Sequence, residues 1–139
     1  MSRLAWAALL LACVAGLVLW AQPPHPAPVG GLHAVRVLAP GGTTFWNGTV
    51  DLAAANATSL GALRAAAALG GFALDVRATT LGSYVRGIGP YEEDAGGGWC
   101  YFVDEGQGYH WVASAADAHV LGAGEAVLWS WKPADTAEC

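Results

Sequence analysis

The alternation of apolar and polar positions along this chain changes period several times, and each change marks an element. From Leu32 to Ala39 the pattern is strand-like, carried by Val35 and Val37 with Leu32 and Leu38 beside them, and it stops at Pro40-Gly41-Gly42. Strand-forming residues resume from Thr43 to Leu52 through Phe45, Trp46, Thr49 and Val50, which predicts a hairpin. The period then becomes helical. Thr58 or Ser59 can cap a helix in which Leu60, Leu63, Ala66 and Ala67 form an apolar stripe, and Gly70-Gly71 ends it. A helix of about three turns cannot bury its stripe alone, so it must lie on a sheet.

Beyond the helix, Phe72, Leu74 and Val76 alternate with Ala73, Asp75 and Arg77, as in a strand with one buried face. Tyr84, Val85 and Ile88 predict a further short strand. After the glycine-rich stretch Asp94 to Gly98, Trp99 to Val103 and Gly108 to Ala113 predict the two arms of a hairpin around Asp104-Glu105-Gly106. Ala126 to Trp131, entered through Gly122-Ala123-Gly124-Glu125, predicts the last strand. The expected fold class is α+β and mostly β: two strands, one helix, then several strands.

The first segment obeys a different logic. Leu4 to Ala21 carries no charge, and a helix rising about 1.5 Å per residue over that length just reaches the roughly 30 Å of a bilayer core. Three readings stand: a retained membrane anchor through residues 4–21, a secretory signal cleaved after Ala21, and a lipoprotein site at Leu10-Leu11-Ala12-Cys13. All three export the residues beyond 21. Residues 22–31 carry four prolines and read as an extended spacer. The expected organisation is therefore a leader or anchor over 1–21, a linker over 22–31 and one domain over 32–139.

Composition narrows the function classes. With 139 residues, 55% hydrophobic and 12% charged, the chain has apolar surface enough for one folded domain. Six basic residues against eleven acidic ones give a net charge of −5, which repels a phosphate backbone and excludes nucleic acid as the expected partner. In an exported domain Cys100 and Cys139 are expected to form a disulfide, contributing about 3 to 4 kcal/mol in the chain-entropy model. The alternatives are two free thiols, or a metal site with His110 and His119, whose spacing matches no common zinc pattern. No metal and no cofactor is expected.

Two longer segments, Gly98-Trp99-Cys100-Tyr101-Phe102-Val103-Asp104-Glu105-Gly106 and Leu121-Gly122-Ala123-Gly124-Glu125-Ala126-Val127-Leu128-Trp129-Ser130-Trp131, carry a resemblance. With the element order above, they are similar to the transcobalamin-like C-terminal domain family (DUF4430). Thr58-Ser59-Leu60-Gly61-Ala62-Leu63 resembles that family's helix start, and Gly82 to Gly89 its middle segment. The match covers about residues 32–132 of the chain. Asp104-Glu105-Gly106 stands where the family carries asparagine-glycine, and Glu125 where aspartate is common. The resemblance implies a β-grasp-like domain of the kind that, in vitamin B12 carriers, closes over cobalamin beside a helical domain. No such helical domain is expected in the 139 residues, and similar modules occur in prokaryotic surface proteins.

The candidate site is aromatic. Trp99, Tyr101 and Val103 share one face of an alternating strand, Tyr109 and Trp111 share one face of the partner arm, and Trp129 and Trp131 share one face of the last strand. If these faces meet, one side of the sheet offers flat, amphipathic rings to a small molecule such as a corrinoid, a glycan or a partner protein. The alternative is that the rings form the core beneath the helix. Tyr91-Glu92-Glu93-Asp94 lacks the alternating oxygen ligands of a calcium cage and reads as a solvated loop. Asn47-Gly48-Thr49 and Asn56-Ala57-Thr58 match the glycosylation acceptor pattern. Ser59, Ser83, Ser114 and Ser130 lack a nucleophile-elbow context, and adjacent Asp104 and Glu105 make a poor acid/base pair. The expectation is a non-enzymatic exported binding module, secreted or anchored at the cell surface. The other class is a structural or adhesive surface protein.

Overall fold

A computed structural model describes residues 29–136. The expected leader, most of the expected linker and Cys139 lie outside the described residues, and with them the readings that rest on residues 4–21. No helix among the described residues is long and apolar enough to cross a membrane.

The element order is β1 (Gly31–Leu38), β2 (Thr44–Leu52), a 3-10 turn (Ala54–Asn56), α1 (Ser59–Gly70), β3 (Leu74–Thr79), β4 (Gly82–Ile88), β5 (Tyr91–Glu92), β6 (Gly97–Asp104), β7 (Tyr109–Trp111) and β8 (Ala126–Pro133). The mostly β, α+β class is as expected, but the strands divide into two sheets. The larger runs β2-β1-β8-β6-β7 and the smaller β3-β4-β5. All the pairings are antiparallel except β1 with β8, which lie parallel at the centre of the larger sheet.

Strand periodicity decides what each face of the larger sheet does. His33, Val35 and Val37 point inward from β1, while Leu32, Ala34 and Arg36 point out to solvent. α1 covers the inner face over β2 and β1. Leu60, Leu63, Ala66 and Ala67 are buried there, as the apolar stripe predicted, and Ala62 is buried with them. Thr58, rather than Ser59, is the cap: its Oγ accepts from the Gly61 amide at 2.9 Å. Gly71 closes the helix at φ 68°, a left-handed conformation suited to glycine.

The smaller sheet completes the inner layer beside the helix. Val85 and Ile88 of β4 join one core cluster with Trp99, Tyr101, Val103, Val127 and Trp129. The expected strand from Phe72 begins only at Leu74, and Leu74, Asp75 and Val76 are all half-buried rather than alternating. The ladder is irregular between Asp75 and Val76, which breaks the simple two-residue period. Phe72 instead packs edge-on against Phe45 at 5.2 Å and near Trp46 at 6.5 Å, below the end of the helix.

Candidate functional site

Register settles where the expected aromatic face goes. Trp99 lies directly opposite Trp131 and Tyr101 opposite Trp129, so these four rings share the inner face. Trp99 and Trp131 meet edge to face at 5.7 Å, and Tyr101 and Trp129 lie at 5.3 Å and 32°. Trp99, Tyr101 and Trp129 are buried and Trp131 is half-buried. The indole of Trp99 also donates to the Tyr91 carbonyl at 2.9 Å, tying the two sheets together.

Tyr109 and Trp111 go elsewhere. They pair with Asp104 and Phe102, so they fall on the other face of the sheet from Trp99 and Tyr101, although Trp111, on the edge strand, also borders the cleft that those rings line. The cause is the connection. The expected hairpin arm Gly108 to Ala113 shortens to Tyr109–Trp111, behind a four-residue loop over 105–108. Its register places the two rings across the sheet from the inner tryptophans, because strand side chains alternate faces. Gly106 and Gly108 take φ of 105° and 96°, and their amides both donate to Asp104 Oδ1, at 2.7 and 3.0 Å. Asp104 thus holds the turn. Tyr109 is 42% and Trp111 51% exposed, and the outer face also carries Cys100, Phe102 and Arg36. Lys132 lies 5.2 Å from the centre of the Phe102 ring.

A cleft forms where the inner aromatic wall meets two segments that, Trp111 apart, the expected aromatic site did not include. One is the β3–β4 hairpin, with Leu81 at its tip. The other is the stretch from Trp111 to Ala118 at the end of β7 and beyond it. The cleft holds about 630 Å³, with Val85, Trp99, Tyr101, Val112 and Trp129 in its walls and Leu81, Tyr84 and Trp111 at its rim. Val112, Ser114 and Ala116 contribute short side chains, which leaves the space open.

Two contacts hold the cleft's sides in place. The Ser83 amide donates to Asp117 Oδ2 at 2.9 Å, and Gly82 sits so close that a Cβ there would lie 2.4 Å from Ala115 Cβ. The hydrogen bond from Ser83 holds the Asp117 carboxyl below its ordinary pKa. Deeper in, the Tyr101 hydroxyl donates to the Ser114 carbonyl. Burial raises the Tyr101 pKa above its ordinary value, so the phenol stays neutral. Tyr84, whose hydroxyl donates to Glu93, is pushed up to about 12, first by burial and then by that carboxylate.

Two smaller hollows lie elsewhere. One of about 330 Å³ lies between Tyr84, Glu93, Lys132 and Pro133. The other, about 530 Å³, holds His119 and Glu125, whose Nε2 and Oε2 stand 3.9 Å apart. The Glu125 carbonyl accepts from Nδ1 of the fully buried His33 at 2.9 Å. No group of three or more His, Cys, Asp or Glu side chains able to hold a metal ion occurs among the described residues. Glu93 of the acidic stretch is engaged by Arg86 at 3.7 Å and by Tyr84.

No family model and no curated protein matches the chain. Sixteen solved chains match its fold. One is haptocorrin, in a crystal structure of haptocorrin in complex with Cbi, at 14% identity and a TM-score of 0.64. The match covers 81% of this chain and 27% of that one. The two share a fold, and this chain spans about a quarter of haptocorrin's length.

Proposed function

We propose that this chain is an exported, non-enzymatic binding module that receives a small molecule in the cleft between the β3–β4 hairpin and the segment after β7. The observation that carries the proposal is the cleft itself: about 630 Å³ of mostly apolar space, a size and lining common to small-molecule sites. The fold shared with haptocorrin, solved in complex with Cbi, makes a corrinoid the first ligand to try. Membership of the transcobalamin-like C-terminal family belongs to the same proposal. Export rests on the uncharged run from Leu4 to Ala21. Calorimetric titration of the purified domain with cobalamin tests the ligand. A saturable heat that disappears in Ala113→Trp, a substitution that fills the cleft from an exposed position, is the expected result. A flat response rejects corrinoids.

A second reading, a structural or adhesive surface protein, is favoured by Leu32, Tyr109 and Trp111, which are exposed on the outer face of the larger sheet. Under that reading the domain self-associates with rising concentration in sedimentation runs, and Trp111→Ser abolishes the association. A monomer at all concentrations removes the self-adhesive form of the reading.

A further inference from the structure

The lining of the cleft specifies more than its size. We infer that, between two compounds of one ring skeleton, it binds the uncharged one more tightly than the one bearing an ionised group; this rests on the cleft being the ligand site.

Among the described residues, no Asp, Glu, Lys, Arg or His contributes to the lining. Such a wall offers an entering charge no counterion to replace its lost hydration; its side-chain hydrogen-bonding groups are neutral ones, among them the buried indole N–H of Trp129, which has no partner, and the penalty of desolvation falls on the charged form. The tyrosines do not alter this. Tyr84 and Tyr101 both hold their protons beyond the ordinary phenol range, so neither becomes an anion at neutral pH. Two carboxylates stand beside the cleft: Asp117, held on the hairpin side by the Ser83 amide, and Glu93, which accepts from the Tyr84 hydroxyl. At longer range the net charge of −5 repels an anionic ligand further.

The same wall explains why rings fit. Val85 and Val112 present apolar surface opposite aromatic side chains, and aromatic pairs favour offset or edge contacts with a further ring. A cation would require an open ring face. In the walls Tyr101 and Trp129 lie against each other at 5.3 Å and Trp99 meets Trp131 edge to face, so the exposed rings are those of Tyr84 and Trp111 at the rim. The volume falls within the roughly 300 to 1,000 Å³ typical of sites for drug-sized ligands.

Matched dyes test the inference. N-phenyl-1-naphthylamine is uncharged, its 8-sulfonate carries the same rings with one negative charge, and thioflavin T supplies a cationic ring compound. The expected result is saturation by the uncharged dye at one site with quenching of tryptophan emission, and binding of the sulfonate at least about ten-fold weaker. Val112→Lys, which sets an ammonium group in the wall on a stem able to reach solvent, is expected to narrow that ratio in favour of the sulfonate. Near-ultraviolet circular dichroism confirms its fold, and the wild-type ratio decides the matter even if that variant is misfolded. Equal or tighter binding of the sulfonate or of thioflavin T overturns the charge selection while leaving the cleft as the ligand site. Failure of all three dyes to bind overturns the cleft as a site, and the inference with it.

Discussion

Replacing Gly82 by alanine measures how firmly the β3–β4 hairpin rests on the far wall of the cleft. Gly82 has φ of 118°, so alanine there adopts a conformation costing about 1 to 3 kcal/mol. Its new methyl group would also stand 2.4 Å from Ala115 Cβ and 2.8 Å from Asp117 Oδ1. Relieving such contacts in a packed site costs about 1 to 3 kcal/mol more. Gly106→Ala is the control. At φ of 105° it bears comparable backbone strain, but a Cβ there meets nothing within 4 Å. The difference between the two variants therefore isolates the hairpin contact, at about 1 kcal/mol or more. In a domain of this size that separates the two melting temperatures by roughly 4 to 8 °C, read by circular dichroism or calorimetry. Gly82→Ala is also expected to weaken binding of N-phenyl-1-naphthylamine, since the hairpin must lift from the 115–117 segment. Equal melting temperatures for the two variants would refute the docking of the hairpin that forms one side of the cleft.

Other substitutions and conditions probe the remaining links. Leu63, fully buried under the sheet, is expected to cost about 2 to 5 kcal/mol when changed to alanine, against about 0.5 kcal/mol or less for the 69% exposed Leu69 in the same helix; urea titration of both variants compares them. Tyr84 holds its proton to about pH 12, above the ordinary 10.0. Its stabilising contribution is thus complete below pH 10 and lost as pH rises from there towards 12. In an ultraviolet alkaline titration Glu93→Gln lowers the Tyr84 midpoint only part-way towards 10, because burial is the largest cause of its elevation. The expected disulfide between Cys100 and Cys139 predicts a mass about 2 Da lower before reduction than after. Identical masses remove it.

Local pattern carried a large part of this fold, and the reasons are local. The β1 alternation of Val35 and Val37 against Ala34 and Arg36, the Thr58 cap and the Gly71 terminus each rest on interactions within a few residues. Alternation alone places Phe72 in a strand, whereas its contacts are with Phe45 and Trp46, far away in the chain. The two-residue β5 has no period to read, and it exists through its pairing with Gly87 and Ile88. The alternative that the inner rings form core fits Trp99, Tyr101 and Trp129. The expectation of one shared aromatic face fails for Tyr109 and Trp111, since a loop of four residues, not the composition of either strand, chose their register.

What the amino-acid order determined by itself is the chain's succession of strands around one helix, its acidic balance and its uncharged first segment, because periodicity, caps and net charge are properties of neighbours and of sums. The tertiary structure alone decided the parting of the strands into two sheets, the placing of Tyr109 and Trp111 on the outer face, and the cleft. Those depend on which distant segments meet. Small residues such as Val112, Ser114 and Ala116 carry no signal of a binding wall until the hairpin bearing Gly82 and Ser83 is folded against them.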